Sequence, residues 1–301
     1  MSDNVKPTSN AGSLVIAFAL YLLAYLLAMA VVFFVGRVLD EQHPIIIALC
    51  ADIAATLVVF LFSRVFRNSS FYDAYWSIAP LAIALYWAFG ITSVTGITAR
   101  QIVVLMLVFA WGLRLTGNWA SQWQGLKHED WRYADLRKRY GRLFWLIDLV
   151  GIEMIPTVVV FLGCLALYPS LSAGKNPLGI LDVIAIIVTA GAIVIESVAD
   201  AQLRKFRKTA TQPREIMDSE LWAYSRHPNY FGEITFWWGL YLFALAANPG
   251  YWWTVTGPLA VTILFLTVSI PMMEKRNLER RSRYEEHRNK VPALIPRLFR
   301  K

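Results

Sequence analysis

Trp222 to Gly239 reads W-A-Y-S-R-H-P-N-Y-F-G-E-I-T-F-W-W-G, a passage from a polar, basic loop into an apolar run. Pro228 suits the first turn of a helix, where its missing N–H removes no hydrogen bond. A helix is therefore expected to start there, with Arg226 and His227 just outside it. Asn229 and Glu233 then stand four residues apart on one face. That face lies near backbone N–H groups that lack intrahelical partners, at the positive end of the helix dipole. A polar or anionic ligand at this rim is the first functional expectation. The plainer reading is a membrane-helix boundary with a basic flank and an aromatic belt. It accounts for Arg226, Tyr230, Trp237 and Trp238 but gives Glu233 no reason to be there.

Outward from this stretch, apolar runs of about 20 residues recur along the whole chain. With 301 residues, 57% of them hydrophobic, and a mean hydropathy of +0.47, the sequence reads as a polytopic membrane protein. The runs predict helices at 14–36, 45–66, 72–92, 100–119, 145–168, 179–200, 229–248 and 251–273. The fold class expected is all-α: a helical bundle of about eight transmembrane helices forming a single membrane domain over 1–301. When the connections alternate sides, only Arg37, Arg100 and Lys175 of the 29 basic residues fall on the poorer side. Both termini are then expected in the cytoplasm. Topology thus accounts for the formal charge of +8, and no nucleic-acid partner is expected. The polar N-terminal residues and a first apolar run without a small-residue cleavage site argue against a removable signal peptide. Cys50 and Cys164 both lie in apolar runs and read as packing residues.

Three further constellations carry chemistry. Arg114 and Asn118 precede K-H-E-D-W-R-Y at Lys127 to Tyr133, which contains Arg132, and then Arg137-Lys138-Arg139-Tyr140. Basic residues interleaved with Trp and Tyr supply phosphate clamps and a stacking surface for a nucleotide. An interfacial amphipathic helix on anionic headgroups would use the same residues. Glu196, Asp200 and Arg207 share a face if their helix persists, and an acid so deep in a membrane helix needs a partner or a ligand. Asp200 with Arg204 could equally form an i, i+4 ion pair. The charged tail ends in an apolar V-P-A-L-I-P segment and is expected to fold back, with Arg297, Arg300 and Lys301 meeting anionic lipid. Asp52 is buried by position, and Asp73, beside Tyr72, Tyr75 and Trp76, either lines a cavity or caps its helix.

No G-x-G-x-x-G follows a strand, no Walker loop exists, and the four histidines form no metal-spaced pair. A Rossmann dehydrogenase, a nucleoside triphosphatase and a zinc hydrolase are set aside, and no metal is expected.

D-A-Y-W at Asp73 to Trp76 and R-L at Arg114 followed by H-E-D-W-R-Y are the first of five marks. E-x-x-x-D-x-Q-x-x-x-F-R at Glu196 to Arg207, R-H-P-N-Y-F-G-E at Arg226 to Glu233 and a terminal Y-x-x-H…A-L-I-P complete them. Together they resemble the steroid 5-alpha-reductase C-terminal superfamily, specifically its bacterial DUF1295 branch, with sterol reductases as more distant relatives. The resemblance covers about two thirds of the chain. It implies variable N-terminal helices over 1–71 and a cofactor-binding core over 72–301, in a bacterial cytoplasmic (inner) membrane.

It further implies an NADPH-dependent reductase passing hydride to a conjugated C=C of a lipophilic, steroid- or isoprenoid-like substrate drawn from membrane lipid. Glu196, Asp200, Arg207, Asn229 and Glu233 match the family's cofactor positions, with Arg207 on phosphate and Asn229 and Glu233 on nicotinamide or ribose. Arg114, Asn118, Arg132, Arg226, His227 and Tyr230 join that expected set. Asp73, Trp76 and Trp111 are expected in the substrate pocket. The family's catalytic Glu and Tyr find no match, Trp111 standing near the Tyr position, so Tyr75 and Tyr86 are the expected hydroxyl donors. Alternatives are an S-adenosylmethionine-dependent methyltransferase, since R-H-P-x-Y-x-G resembles those enzymes too, and a non-enzymatic lipid-binding or transport protein.

Overall fold

The structure, a computed structural model, describes residues 11–91, 96–209 and 215–297; Lys6, Arg214, Arg300 and Lys301, used above for topology and lipid contact, lie outside them. Every regular element among the described residues is helical. Helices α1 (Ala11–Val38) and α2 (Pro44–Phe66) are joined by a short turn in which His43 accepts the Ile45 N–H and Pro44 opens the next helix. Helix α3 (Tyr72–Leu85) continues into a π-helical turn at Tyr86–Gly90, and α4 spans Ala99–Gln122. Helix α5 (Trp131–Tyr140) starts where the Asp130 carboxylate caps the Arg132 N–H at 2.8 Å. A short turn, a π-helical stretch at Ile147–Met154 and α6 (Ile155–Cys164) follow. The remaining helices are α7 (Ile180–Thr209), α8 (Pro228–Ala247), α9 (Thr256–Leu264), α10 (Ile270–Arg280) and α11 (Tyr284–Lys290).

Six helical stretches among the described residues are long and apolar enough to cross a membrane. These are Gly12–Val38, Pro44–Phe66, Ala99–Gln122, Trp131–Ala173, Ile180–Thr209 and Pro249–Arg280. Their lipid-suited faces are visible on α1, where Val15, Phe18, Leu22, Phe33 and Phe34 are exposed. The chain is a membrane-embedded helical protein. The other two expected spans, α3 with its π turn and α8, form helices at the expected places but stand outside that set. Helix α8 begins at Pro228 with His227 as its N-cap residue, as the proline predicts.

The chain divides into two compact units, one holding residues up to Ile83 together with Leu115–Phe161, the other Ala84–Arg114 together with everything from Leu162. Unit 1 is built on an aromatic core in which Tyr21 stacks on Phe71 at 4.2 Å, with Tyr72, Tyr75 and Val59 around them and Trp76 packed at the edge. Unit 2 is centred on α7 and α8. A Cβ on Gly232 would lie 2.8 Å from the Glu196 Cβ, and one on Gly239 would lie 3.0 Å from the Thr189 Cα. Two glycines on one stripe thus let the α7 and α8 backbones approach closely, the means by which membrane helices pack without a hydrophobic drive between them. Trp111 stacks on Phe236 at 4.7 Å and meets Trp237 edge-on at 5.2 Å, closing the core beside this contact.

Candidate functional site

Helix α7 runs unbroken to Thr209, so Glu196, Asp200 and Arg207 do share one helix, and the Gly232 contact sets Glu196 directly against the first turns of α8. Arg114, in the part of α4 that belongs to unit 2, clamps both acids. Its guanidinium lies 2.5 Å from Glu196 Oε1 and 3.0 Å from Asp200 Oδ2. Asn229 donates from Nδ2 to Asp200 Oδ1 at 3.2 Å. Glu233, 3% exposed, accepts from the indole N–H groups of Trp111 and Trp237, each at 2.8 Å. Arg207 is exposed about two turns beyond Asp200, within electrostatic reach of Asp200 and Tyr230. Arg114, Trp111, Glu196, Asp200, Asn229 and Glu233 are therefore brought into one cluster, with Arg207 and Tyr230 at its border.

The cluster leaves polar atoms of both kinds without a hydrogen bond: the Arg114 Nε donor and the Asn229 Oδ1 acceptor are buried and unpartnered, while Glu196 shares a side-chain hydrogen bond with Glu233. An acceptor left so is expensive unless a donor arrives. A ribose hydroxyl or a carboxamide N–H is such a donor, and both belong to a nicotinamide dinucleotide. Phosphates would meet the basic residues beyond. Burial and, against the opposing pull of Tyr284, the nearby Arg207 and Arg280 hold the Arg281 guanidinium below its ordinary value, which places three guanidinium groups together. The residues present fit the cofactor that the resemblance implies.

Arg226 and His227 are turned to other work. Arg226 Nε donates to Glu274 Oε1 at 2.9 Å and its Nη1 to the Arg288 and Val291 carbonyls, while His227 Nε2 lies 2.7 Å from the same Glu274 oxygen. Tyr284 donates to that oxygen as well, at 2.9 Å. The Arg226 N–H reaches the Pro292 carbonyl and Ser225 Oγ the Leu294 carbonyl, so the V-P-A-L-I-P segment folds back as expected. The clasp fixes the entrance to α8, and His227 stacks on Tyr230 at 5.2 Å.

The remaining expected residues lie elsewhere. In unit 1, Tyr75 donates to Asp52 Oδ1 at 2.7 Å, Tyr133 to Asp73 Oδ1 at 2.7 Å, and Arg132 pairs with Asp130 at 2.8 Å. Asp73 therefore anchors α5 instead of capping α3. Trp76 packs on the aromatic core, and Asn118 accepts from Ser121 and Gln122 through its carbonyl. In unit 2, Tyr86 sits half-buried at the start of the π turn, its ring against Gly90. Four residues escaped the sequence reading: Trp237, Glu274, Asp148 and Glu153. Trp237 resembles any belt tryptophan until its bond to Glu233 is known. Asp148 and Glu153 were legible, being acids inside an apolar run.

The arrangement defines a polytopic helical membrane protein with an acid-, amide- and guanidinium-lined cluster where α4 meets α7 and α8. The chain belongs to the family described as "Protein of unknown function (DUF1295)", which matches residues 59–291. It is similar to "Uncharacterized protein C594.04c" of the fission yeast Schizosaccharomyces pombe, at 25% identity over 281 residues that cover 86% of this chain and 81% of that protein. No solved structure matches it.

Proposed function

We propose that the protein is an NADPH-dependent membrane reductase of the steroid 5-alpha-reductase superfamily that reduces a conjugated C=C in a lipophilic substrate. One observation carries the reading: Arg114, Glu196, Asp200, Asn229 and Glu233 converge, and a buried acceptor among them, Asn229 Oδ1, lacks a donor. Glu196, Asp200 and Asn229 would hold the ribose and carboxamide of the dinucleotide, and Arg207 with Arg281 its phosphates. Bound there, NADPH would supply the hydride. Glu233 is kept in place by two indoles, and the clasp of Glu274 on Arg226 and His227 fixes the loop from which α8 starts. Charge develops on the conjugated oxygen as the double bond is reduced, and a hydroxyl aimed at it would stabilise that charge and then give up its proton. Tyr75, which already donates to Asp52, and Tyr86 are the two candidates for that hydroxyl.

The same reading counts α3 and α8 as spans, giving eight with both termini in the cytoplasm of the cell membrane. The basic loops and the cofactor cluster then face the cytoplasm.

A second reading has a specific observation in its favour. Glu196, Asp200 and Glu233 lie close together, and clustered carboxylates suit the sulfonium cation of S-adenosylmethionine. Mass spectrometry of cofactor retained by the detergent-purified protein, with thermal shifts on adding each cofactor, separates the two. NADPH is expected to raise the melting temperature and S-adenosylmethionine to leave it unchanged. The reverse result would overturn the reductase reading, and no response to either would favour a lipid-binding or transport protein. Arg207→Ala is expected to weaken NADPH binding about tenfold, the loss of one charge-assisted contact of roughly 1.5–3 kcal/mol. Equal affinity would remove Arg207 from the site.

A further inference from the structure

The π-helical stretch Ile147–Met154 carries two acids, Asp148 and Glu153, five residues apart. On an α-helix such a pair would point about 140° apart. Hydrogen bonding in π register runs from each residue to the fifth one on, which brings the two acids onto the same side. Both are fully buried, Asp148 at 1% and Glu153 at 0% exposure, and neither takes a hydrogen bond from an N–H group. Their partners are hydroxyls, Ser69 for Asp148 and Ser63 for Glu153, and both serines are buried as well. Two carboxyl groups at this depth with only hydroxyls beside them are too costly for packing alone.

A chain of hydroxyls starts beside them. Tyr72 OH lies 2.8 Å from Thr157 Oγ1, which lies 2.9 Å from Thr56 Oγ1, and Thr56 sits one helical turn from Asp52, the acid that accepts the Tyr75 hydroxyl at 2.7 Å. Glu153 is within electrostatic reach of Tyr72. At the other end, Asp148 is within reach of Arg64, Arg137 and Glu129. The last two form a half-exposed ion pair at 2.6 Å. The path thus grades from solvent-accessible charge, through the acid pair, to neutral hydroxyls and the Tyr75–Asp52 pair. Asp73 and Tyr25 also face it, from α3 and α1, and Asp73 is engaged by Tyr133.

We propose that Asp148 and Glu153 hold an exchangeable proton and that Tyr72, Thr157 and Thr56 pass it to the Tyr75–Asp52 pair, making unit 1 a proton path from water into the membrane interior. Each hydroxyl accepts one proton and releases its own, so no bond other than O–H is made or broken. When Tyr75 gives up its proton, Glu153 becomes the carboxylate, and Asp148 restores its proton from the side of Glu129 and Arg137. Ser63 and Ser69, with water, carry the two links between the acids and to Tyr72. The role of Tyr75 as the end of the path rests on the reductase reading; the proton path itself does not.

Infrared difference spectroscopy of the full chain in detergent, with no nucleotide added, tests it. The wild type is expected to show the carbonyl band of a protonated acid at neutral pH, and Glu153→Gln to lose it. After transfer into D2O, deuterium uptake at the Tyr75 hydroxyl, identified by its loss in Tyr75→Phe, is expected to slow about tenfold in Thr157→Val and to recover in Thr157→Ser. A band absent from the wild type or unchanged in Glu153→Gln, or uptake equal in Thr157→Val, would overturn the path. A merely structural Thr157 would alter stability without the serine rescue of exchange. Because no cofactor takes part, failure here is distinct from failure of NADPH to bind.

Discussion

In unit 1 the buried acids meet hydroxyls; in unit 2 they meet cations and indole N–H groups. Asp52 faces Tyr75 and Asp73 faces Tyr133, whereas Glu196 and Asp200 share Arg114, Asp182 pairs with Arg100 at 2.7 Å, and Glu274 gathers Arg226, His227 and Tyr284. The chemistry differs accordingly. A carboxylate beside a guanidinium keeps its charge and can orient a polar ligand. A carboxyl group beside a phenol, with no cation on it, can exchange a proton with its neighbour. On the two proposals above, unit 2 holds a ligand and unit 1 passes protons.

The largest test of this contrast removes the shared cation. Arg114→Ala leaves two buried acids uncompensated and is expected to lower stability by about 3 kcal/mol, read from unfolding in detergent. A loss below about 1 kcal/mol would mean that the acids of unit 2 do not depend on charge pairing. The next largest effect concerns a phenol in the unit of cations. Burial and then the Glu274 carboxylate push the Tyr284 phenol up to about 12. The folded protein therefore keeps that proton where the unfolded chain has lost it, and the stability it contributes below pH ~10 is lost as pH rises toward ~12. Wild type should lose about 2 kcal/mol more than Tyr284→Phe over that range, and parallel pH curves would break the assignment. In unit 1, Tyr133→Phe removes the donor from Asp73 at a cost of about 1 kcal/mol, since a hydroxyl bond contributes less than a charged one. A larger cost than for Arg114→Ala would invert the comparison. Outside both networks, Glu279 pairs with Lys275 at 4.0 Å with both side chains largely exposed. Glu279→Ala is expected to change stability by no more than about 0.5 kcal/mol.

The α8 start was legible because proline imposes it locally, and every expected apolar run is helical because length and composition suffice for that. The i, i+4 spacing of Glu196 and Asp200 likewise survived, since α7 is continuous. The clasp on Arg226 and His227 was not legible for a physical reason: a sequence shows that an arginine stands before a helix, but not that Glu274, 48 residues away, binds it. Asp148 and Glu153 are legible in the sequence as acids inside an apolar run, but α-helical spacing puts them on different sides, and only the change to π register turns them together.

Sequence by itself determined the helical membrane class, the positions of the helices and the residue types able to hold a polar ligand. These follow from short-range rules: run length against bilayer thickness, proline at a helix start, and the periodicity of one helix. Tertiary structure alone decided which acid meets which partner. That choice depends on side chains far apart in the chain, and on Gly232 and Gly239 letting α7 and α8 come close enough for Glu196 to sit against Asn229 and Glu233.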